Sequence, residues 1–133
     1  MKKLYMLDTD TCSYTIRGTS DLLNQRIKEH RNHLCISSIT LAELLFGVTK
    51  KESSRLMNSV ELFQQLVEIK SWSQEAAKHY GTIRNHLEKS GQPIGNMDVL
   101  IAASALSENA ILVTNNTAHF SRVPNLNIEN WLK

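Results

Sequence analysis

An α/β fold, with a mainly parallel sheet flanked by helices on both faces, is what the sequence predicts. Three observations predict it. Short apolar runs alternate along the chain with longer stretches whose apolar residues recur every three or four positions, the pattern of successive βαβ units. The runs are apolar throughout rather than alternating with polar residues, as strands covered on both faces require. The 133 residues, without repeat, low-complexity tract or linker, suit one compact domain spanning 1–133.

Each element follows in order. Lys3 to Leu7 is a short apolar run ending at Asp8, a buried strand. Thr11 to Arg17 reads as a short helix closed by Gly18, and Ser20 caps a second running to about His30. His33 to Ile36 is the second strand. Ser37 and Ser38 punctuate it, and Ile39 to Lys50 follows as a helix. After a break near Lys51 to Ser53, a helix runs from about Ser54 to Leu66, and Val67 to Lys70 reads as a third strand. From Ser73 to Ser90, Ala76, Ala77, Tyr80, Ile83 and Leu87 mark one face of a long helix. Gly91 to Gly95 is a Gly/Pro loop. Asn96 to Ser107 is a nearly all-apolar helix, Ile111 to Val113 a strand, and Leu126 to Ile128 a last strand beyond the turn at Val123-Pro124.

Composition narrows the function classes. Hydrophobic residues at 41% and charged residues at 21% describe an ordinary globular protein. No stretch approaches the ~20 apolar residues that span a bilayer. Behind the basic start Met1-Lys2-Lys3 the apolar run lasts only from Leu4 to Leu7 before Asp8 and Asp10, so neither a signal peptide nor a membrane association is expected, and the cytoplasm is the expected compartment. Cys12 and Cys35 form no C-x-x-C and read as small buried hydrophobes. The net charge of +2 does not by itself announce a nucleic-acid binder.

The chemistry-bearing residues are acidic. Ligands of a parallel sheet gather at the carboxyl ends of its strands, which selects Asp8, although a turn or helix-capping carboxylate would look the same. Glu43 is the lone charge between Ile39 and Phe46. At about 100° per residue it shares a face with Ile39, Phe46 and Gly47. Apolar residues fill most other faces, so a largely buried helix is expected. A buried carboxylate is costly unless paired or metal-bound. Thr40 and Glu43 also have capping-box spacing, which would give Glu43 a purely structural task. Asp98 opens the charge-free run Val99 to Leu106 and lines up with Ile101, Ala102 and Ala105, pointing it inward. First-turn placement in the helix dipole is its plain alternative, with Asn96 available as cap. Asn116 follows the strand Ile111 to Val113, either as a turn residue or on the same sheet edge as Asp8. Three converging carboxylates repel and raise one another's pKa values, and a hard divalent cation relieves this. Oxygen ligands favour Mg²⁺ or Mn²⁺. The five histidines form no H-x-x-x-H or H-E-x-x-H pattern.

Four stretches together resemble VapC-type PIN domains. Tyr5-Met6-Leu7-Asp8-Thr9-Asp10-Thr11-Cys12 resembles their opening, usually L-D-T-N. Cys35-Ile36-Ser37-Ser38-Ile39-Thr40-Leu41-Ala42-Glu43-Leu44 and Pro93-Ile94-Gly95-Asn96-Met97-Asp98-Val99-Leu100-Ile101-Ala102 resemble the second and third motifs, with their acids at Glu43 and Asp98. Leu112-Val113-Thr114-Asn115-Asn116-Thr117-Ala118-His119-Phe120 resembles the fourth, V-T-x-[DN]-x-x-x-F. Asp10 stands where the family mostly has Asn, and Asn116 where many members have Asp. The resemblance implies a PIN-like fold and a homodimeric toxin ribonuclease, held inactive by a VapB-type antitoxin. It also implies cleavage of structured RNA, most often a tRNA anticodon loop and for similar members that of initiator tRNA, with inhibition of translation.

The expected mechanism is metal-assisted phosphodiester hydrolysis. Asp8, Glu43 and Asp98 are the catalytic set. Asp8 and Asp98 hold Mg²⁺, with Mn²⁺ as a substitute, and Glu43 completes the site or orients water. Asn116 and Asp10 support the acidic site. Arg17, Lys50 and Arg84, with Lys51, Arg55 and Lys89, are candidates to hold RNA, although surface solvation accounts for any one of them. Asp8-Thr9-Asp10-Thr11 also matches the D-x-D-x-T of haloacid-dehalogenase-like phosphatases, a competing enzyme that leaves Glu43 without a task. A non-catalytic PIN-like binding module is the third alternative, and retention of all three acids argues against it.

Overall fold

The computed structural model describes residues 3–133, and the basic start at Met1 and Lys2 lies outside them. Twelve elements follow one another: β1 (Tyr5–Leu7), α1 (Thr9–Arg17), α2 (Asp21–Glu29), β2 (Leu34–Ser37), α3 (Ser38–Lys51), α4 (Ser54–Gln64), β3 (Glu68–Lys70), α5 (Gln74–Lys89), α6 (Asn96–Ser107), β4 (Ile111–Val113), α7 (Thr117–Phe120) and β5 (Ile128–Glu129). The five strands form one parallel sheet in the order β3-β2-β1-β4-β5.

Side-chain alternation divides the core in two. Met6, Cys35 and Leu112 face one side, where they pack with Ala76, Ile83 and Leu87 of α5, the apolar face of α6, and Phe120. Leu7, Leu34, Ile36 and Val113 face the other, against Cys12 of α1, Leu23 of α2, Leu44 of α3, Phe63 of α4 and Trp131. A sheet covered on both faces needs apolar residues at consecutive strand positions, which the short runs supply. Cys12 and Cys35 are both buried and unpaired in a disulfide, and burial pushes the Cys35 thiol up to about 12.

Helix boundaries obey capping chemistry. Asp8, Ser20, Ser37, Ser53 and Ser73 each accept a hydrogen bond from the first turn of the helix they precede. Gly18 ends α1 at φ +68°, in the left-handed region where glycine carries no Cβ penalty. Two local expectations need correction, and one element was not foreseen. Helix α6 is preceded by Gly95 and has no side-chain cap, and Asn96 is its exposed first residue. The four-residue α7 had no periodic signal to announce it. Finally, α3 is not largely buried: Ala42 is exposed and Phe46 is 68% exposed, because only the side bearing Thr40, Leu44 and Val48 meets the rest of the molecule.

The strand order decides where the site lies. The chain steps outward through β1, β2 and β3, then returns to place β4 beside β1. The crevice between the carboxyl ends of β1 and β4 is thus the topological switch point, where open α/β sheets bind their ligands.

Candidate metal-dependent active site

Asp8 occupies that crevice. It follows β1 directly, caps α1, and is 5% exposed. The Thr11 backbone N–H donates to its Oδ1 at 2.9 Å and the Thr114 hydroxyl donates to its Oδ2 at 2.6 Å. The Thr11 hydroxyl reaches the Val113 carbonyl at 3.2 Å, and the Asp8 N–H reaches the same carbonyl at 3.0 Å. The capping and site readings of Asp8 are therefore compatible: the carboxylate that caps α1 lies between two strand ends.

Glu43 comes from α3 and accepts a hydrogen bond of 2.5 Å from the Thr9 hydroxyl. The capping box is not formed. Ser37 caps α3, the Glu43 carboxylate turns to α1, and the buried Thr40 hydroxyl has no hydrogen-bond partner among the described residues. Ser37 Oγ also lies 2.8 Å from Ser104 Oγ of α6, which ties the start of α3 to the helix carrying Asp98.

Asp98 stands in the first turn of α6 with its side chain 32% exposed, half-buried at the site's edge rather than in the interior. His119 Nδ1 lies 3.8 Å from Asp98 Oδ2 and 2.9 Å from Asn116 Nδ2. The Asn116 backbone N–H donates to Thr114 Oγ1 at 2.9 Å. Asp10 is exposed in the first turn of α1.

The acidic side chains act on one another's charges. Burial pushes the Asp8 carboxyl above its ordinary value, hydrogen bonds from Thr114 and Thr11 pull it down, and the charge of Asp10 adds to the rise. Burial also raises Asp98. His119 pulls it down, while Asp8, Glu43 and Asp10 push it further up. Among the described residues no Lys or Arg forms an ion pair with Asp8, Asp10, Glu43 or Asp98. This excess of acid suits a hard divalent cation. No three acidic, His or Cys side chains among the described residues stand close enough to form a ready-made cage. The donor set therefore fits a cation that keeps several waters and takes one or two carboxylates.

A groove of about 290 Å³ leads away from Glu43 and Thr9 between α1, α3 and α4. Leu44, Val48, Leu56 and Val60 line it, and Arg17 and Lys51 stand along it. Lys50 is exposed beside Lys51. Arg17 also lies 4.8 Å above the Tyr14 ring. Arg84 is elsewhere: on α5 it binds Glu88 at 2.7 Å and the Tyr80 hydroxyl at 2.8 Å. Sequence reasoning assigned no part to Thr9, Thr11, Thr114 or His119. The T-x-N pattern after β4 was the available signal for Thr114, but a hydroxyl's partner is not visible in local sequence.

Comparison with known proteins agrees with this geometry. Residues 5–126 match the PIN domain family. The chain is 44% identical to ribonuclease VapC2 of Rickettsia felis, covering 98% of this chain and 99% of that protein. It is 39% identical to the tRNA(fMet)-specific endonuclease VapC of Salmonella typhimurium, covering 96% and 97%. Among solved structures it resembles VapBC2 from Rickettsia felis bound to a promoter DNA fragment, with TM-score 0.91, 41% identity and 96% and 98% coverage. It also resembles DNA-bound VapBC from Salmonella typhimurium, with TM-score 0.90, 38% identity and 98% and 99% coverage. These matches run the length of the chain and overturn the phosphatase alternative. A divalent cation is the common requirement of PIN-domain nucleases, and the acid excess between β1 and β4 is in keeping with it. Fold, site and sequence thus converge, and the chain belongs to the PIN-domain family, within its VapC ribonucleases.

Proposed function

We propose that this chain is a Mg²⁺-dependent endoribonuclease that acts on tRNA, as the toxin of a pair completed by a VapB-type antitoxin. The observation that carries the reading is the gathering of Asp8, Glu43, Asp98 and Asp10 at one switch point without a Lys or Arg partner among the described residues. Asp8 and Asp98 would hold the cation, which supplies charge neutralisation at the phosphoryl oxygens and eases deprotonation of a water. Thr114 and Thr11 aim the Asp8 oxygens. Glu43, fixed by Thr9, takes the proton of the attacking water. Water oxygen bonds to phosphorus, the P–O3′ bond breaks, the departing 3′ oxygen takes up a proton from solvent, and Glu43 returns its proton to solvent. The products carry a 5′-phosphate and a 3′-hydroxyl.

Arg17, with Lys50 and Lys51, is suited to hold the RNA backbone along the groove. Arg84 is less suited, since Glu88 already occupies its guanidinium. The tRNA substrate is supported by the tRNA(fMet)-specific relative, and the antitoxin by the VapBC structures. A cationic side chain of the antitoxin entering by the groove would pair with Glu43 or Asp8 and compete with the metal. Phe46 on α3 and Leu62 on α4, both largely exposed, offer apolar surface for the expected homodimer. No helix of the described residues is long and apolar enough to cross a membrane.

The test is cleavage of total RNA by protein freed of its partner, with the ends mapped. Cleavage of initiator tRNA that stops in EDTA, returns with Mg²⁺ or Mn²⁺ and yields 5′-phosphates is expected. Full activity in chelator, or a 2′,3′-cyclic phosphate, would overturn the mechanism. Cleavage confined to other RNAs would overturn the substrate.

A further inference from the structure

His119 is held in a way that the catalytic scheme above does not use. Phe120, beside it in α7, is 1% exposed and anchors the short helix in the core. The His119 side chain remains 44% exposed at the rim of the acidic cluster. Its Nδ1 lies 2.9 Å from the Asn116 amide nitrogen. An amide nitrogen only donates, so this contact selects the neutral ring in which Nδ1 accepts and Nε2 carries the proton. Nε2 makes no hydrogen bond to the described residues. The nearest carboxylate, Asp98 Oδ2, is 3.8 Å from Nδ1, too far for a hydrogen bond. The ring is therefore clamped by one nitrogen and offers a donor with the other, on an edge where every acid would otherwise repel a phosphate.

We infer that His119 is a substrate-contacting residue that donates from Nε2 to a phosphate oxygen of the RNA next to the scissile bond, with Asn116 as its positioning residue. This rests on the ribonuclease reading and gives the Asn that stands at 116 a task. Its amide is committed to Nδ1 and fixes which ring nitrogen carries the proton, as the partner of one imidazole nitrogen does elsewhere. An amide can fill this role where a carboxylate would draw the proton to Nδ1 and leave Nε2 an acceptor.

The experiment uses the full chain in a Glu43→Gln background, so that RNA is bound without being cut. A fluorescein-labelled anticodon stem–loop of initiator tRNA is titrated with Mg²⁺ present and followed by anisotropy. His119→Ala should weaken binding about five- to tenfold, the scale of one hydrogen bond. His119→Gln should restore most of it, because its amide nitrogen reaches the place of Nε2, whereas His119→Asn should not. Asn116→Ala should weaken binding less, and should add little to His119→Ala if the two act as a unit. Mn²⁺ affinity without RNA, read by electron paramagnetic resonance, should not change in His119→Ala. Equal RNA affinity of His119→Ala and its parent would overturn the inference alone. So would a loss of Mn²⁺ affinity that accounts for the RNA effect, which would make His119 a support of the metal site. If the Glu43→Gln parent itself fails to bind the stem–loop, the substrate reading falls and takes the inference with it.

Discussion

Replacing Thr114 by Val removes one hydroxyl from the centre of the site while keeping shape and volume. Thr114 is fully buried and Asp8 is 5% exposed. The hydroxyl donates to Asp8 Oδ2 at 2.6 Å and accepts from the Asn116 N–H at 2.9 Å. A hydrogen bond to an ionised buried partner contributes about 1.5–3 kcal/mol. The Asn116 N–H is only part-buried and can turn to water, so it adds about 0.5 kcal/mol. The variant should lose about 2–3.5 kcal/mol at neutral pH, lowering Tm by roughly 8–14 °C in a domain of this size. The loss should depend on pH. Burial already raises the Asp8 pKa in the folded protein, with the Thr114 bond opposing it. A carboxylate with a raised folded pKa destabilises the fold as pH climbs through the window between its unfolded and folded values. Without the hydroxyl that window extends to higher pH. The gap between wild type and variant is therefore smallest in acid, where Asp8 is protonated in both and only neutral hydrogen bonds are lost, and complete above both folded pKa values. Calorimetric melting from pH 4 to pH 8 in EDTA measures it, and the acid limb of the pH–rate profile with Mg²⁺ should move upward. Thr114→Ser should restore both. A folded Thr114→Val protein with unchanged Tm at pH 7 and an unmoved acid limb would refute the reasoning.

Other substitutions separate chemistry from structure. Glu43→Gln can keep the Thr9 hydrogen bond but cannot accept a proton, so RNA cleavage should fall at least about a hundredfold with little change in melting; near-normal cleavage would make Glu43 structural. Asp10→Asn should retain most activity, since Asp10 is exposed and makes no side-chain hydrogen bond or ion pair with the described residues; a folded but inactive variant would restore a chemical part for that acid. Asp98→Asn should abolish cleavage yet raise the Tm of metal-free protein at neutral pH, because burial and the neighbouring acids disfavour the Asp98 charge. That gain should shrink as pH falls below the carboxylate range, and a Tm reduced at every pH would contradict it. Gly18→Ala should cost about 1 kcal/mol in chemical denaturation, through a left-handed conformation that alanine disfavours; no change would show that the turn relaxes.

Local pattern determined much of this protein. All five strands and six of the helices stand where periodicity and capping residues put them, within a few residues at each end, because 3.6-residue and two-residue repeats and Ser or Asp caps act over single turns. Fold class followed from their alternation, and Asp8 and Asn116 could be set at strand ends because the strands themselves were legible. The strand order was not, and it decides the site. Placing β4 beside β1 brings the Thr114 hydroxyl onto a carboxylate 106 positions away in sequence, and the packing of α1 against α3 gives Glu43 to Thr9 rather than to Thr40. Exposure of Phe46 likewise depends on which neighbours reach α3, not on the apolarity of α3 itself. His119 escaped notice for the same reason: its meaning lies in its hydrogen bond to Asn116 and its nearness to Asp98, which arrives from a different helix. Sequence fixes which groups can ionise, donate or accept, since those are properties of single residues. Which of them share a few ångströms of buried space is set by long-range packing, and the pKa shifts and hydrogen bonds of a site arise only there.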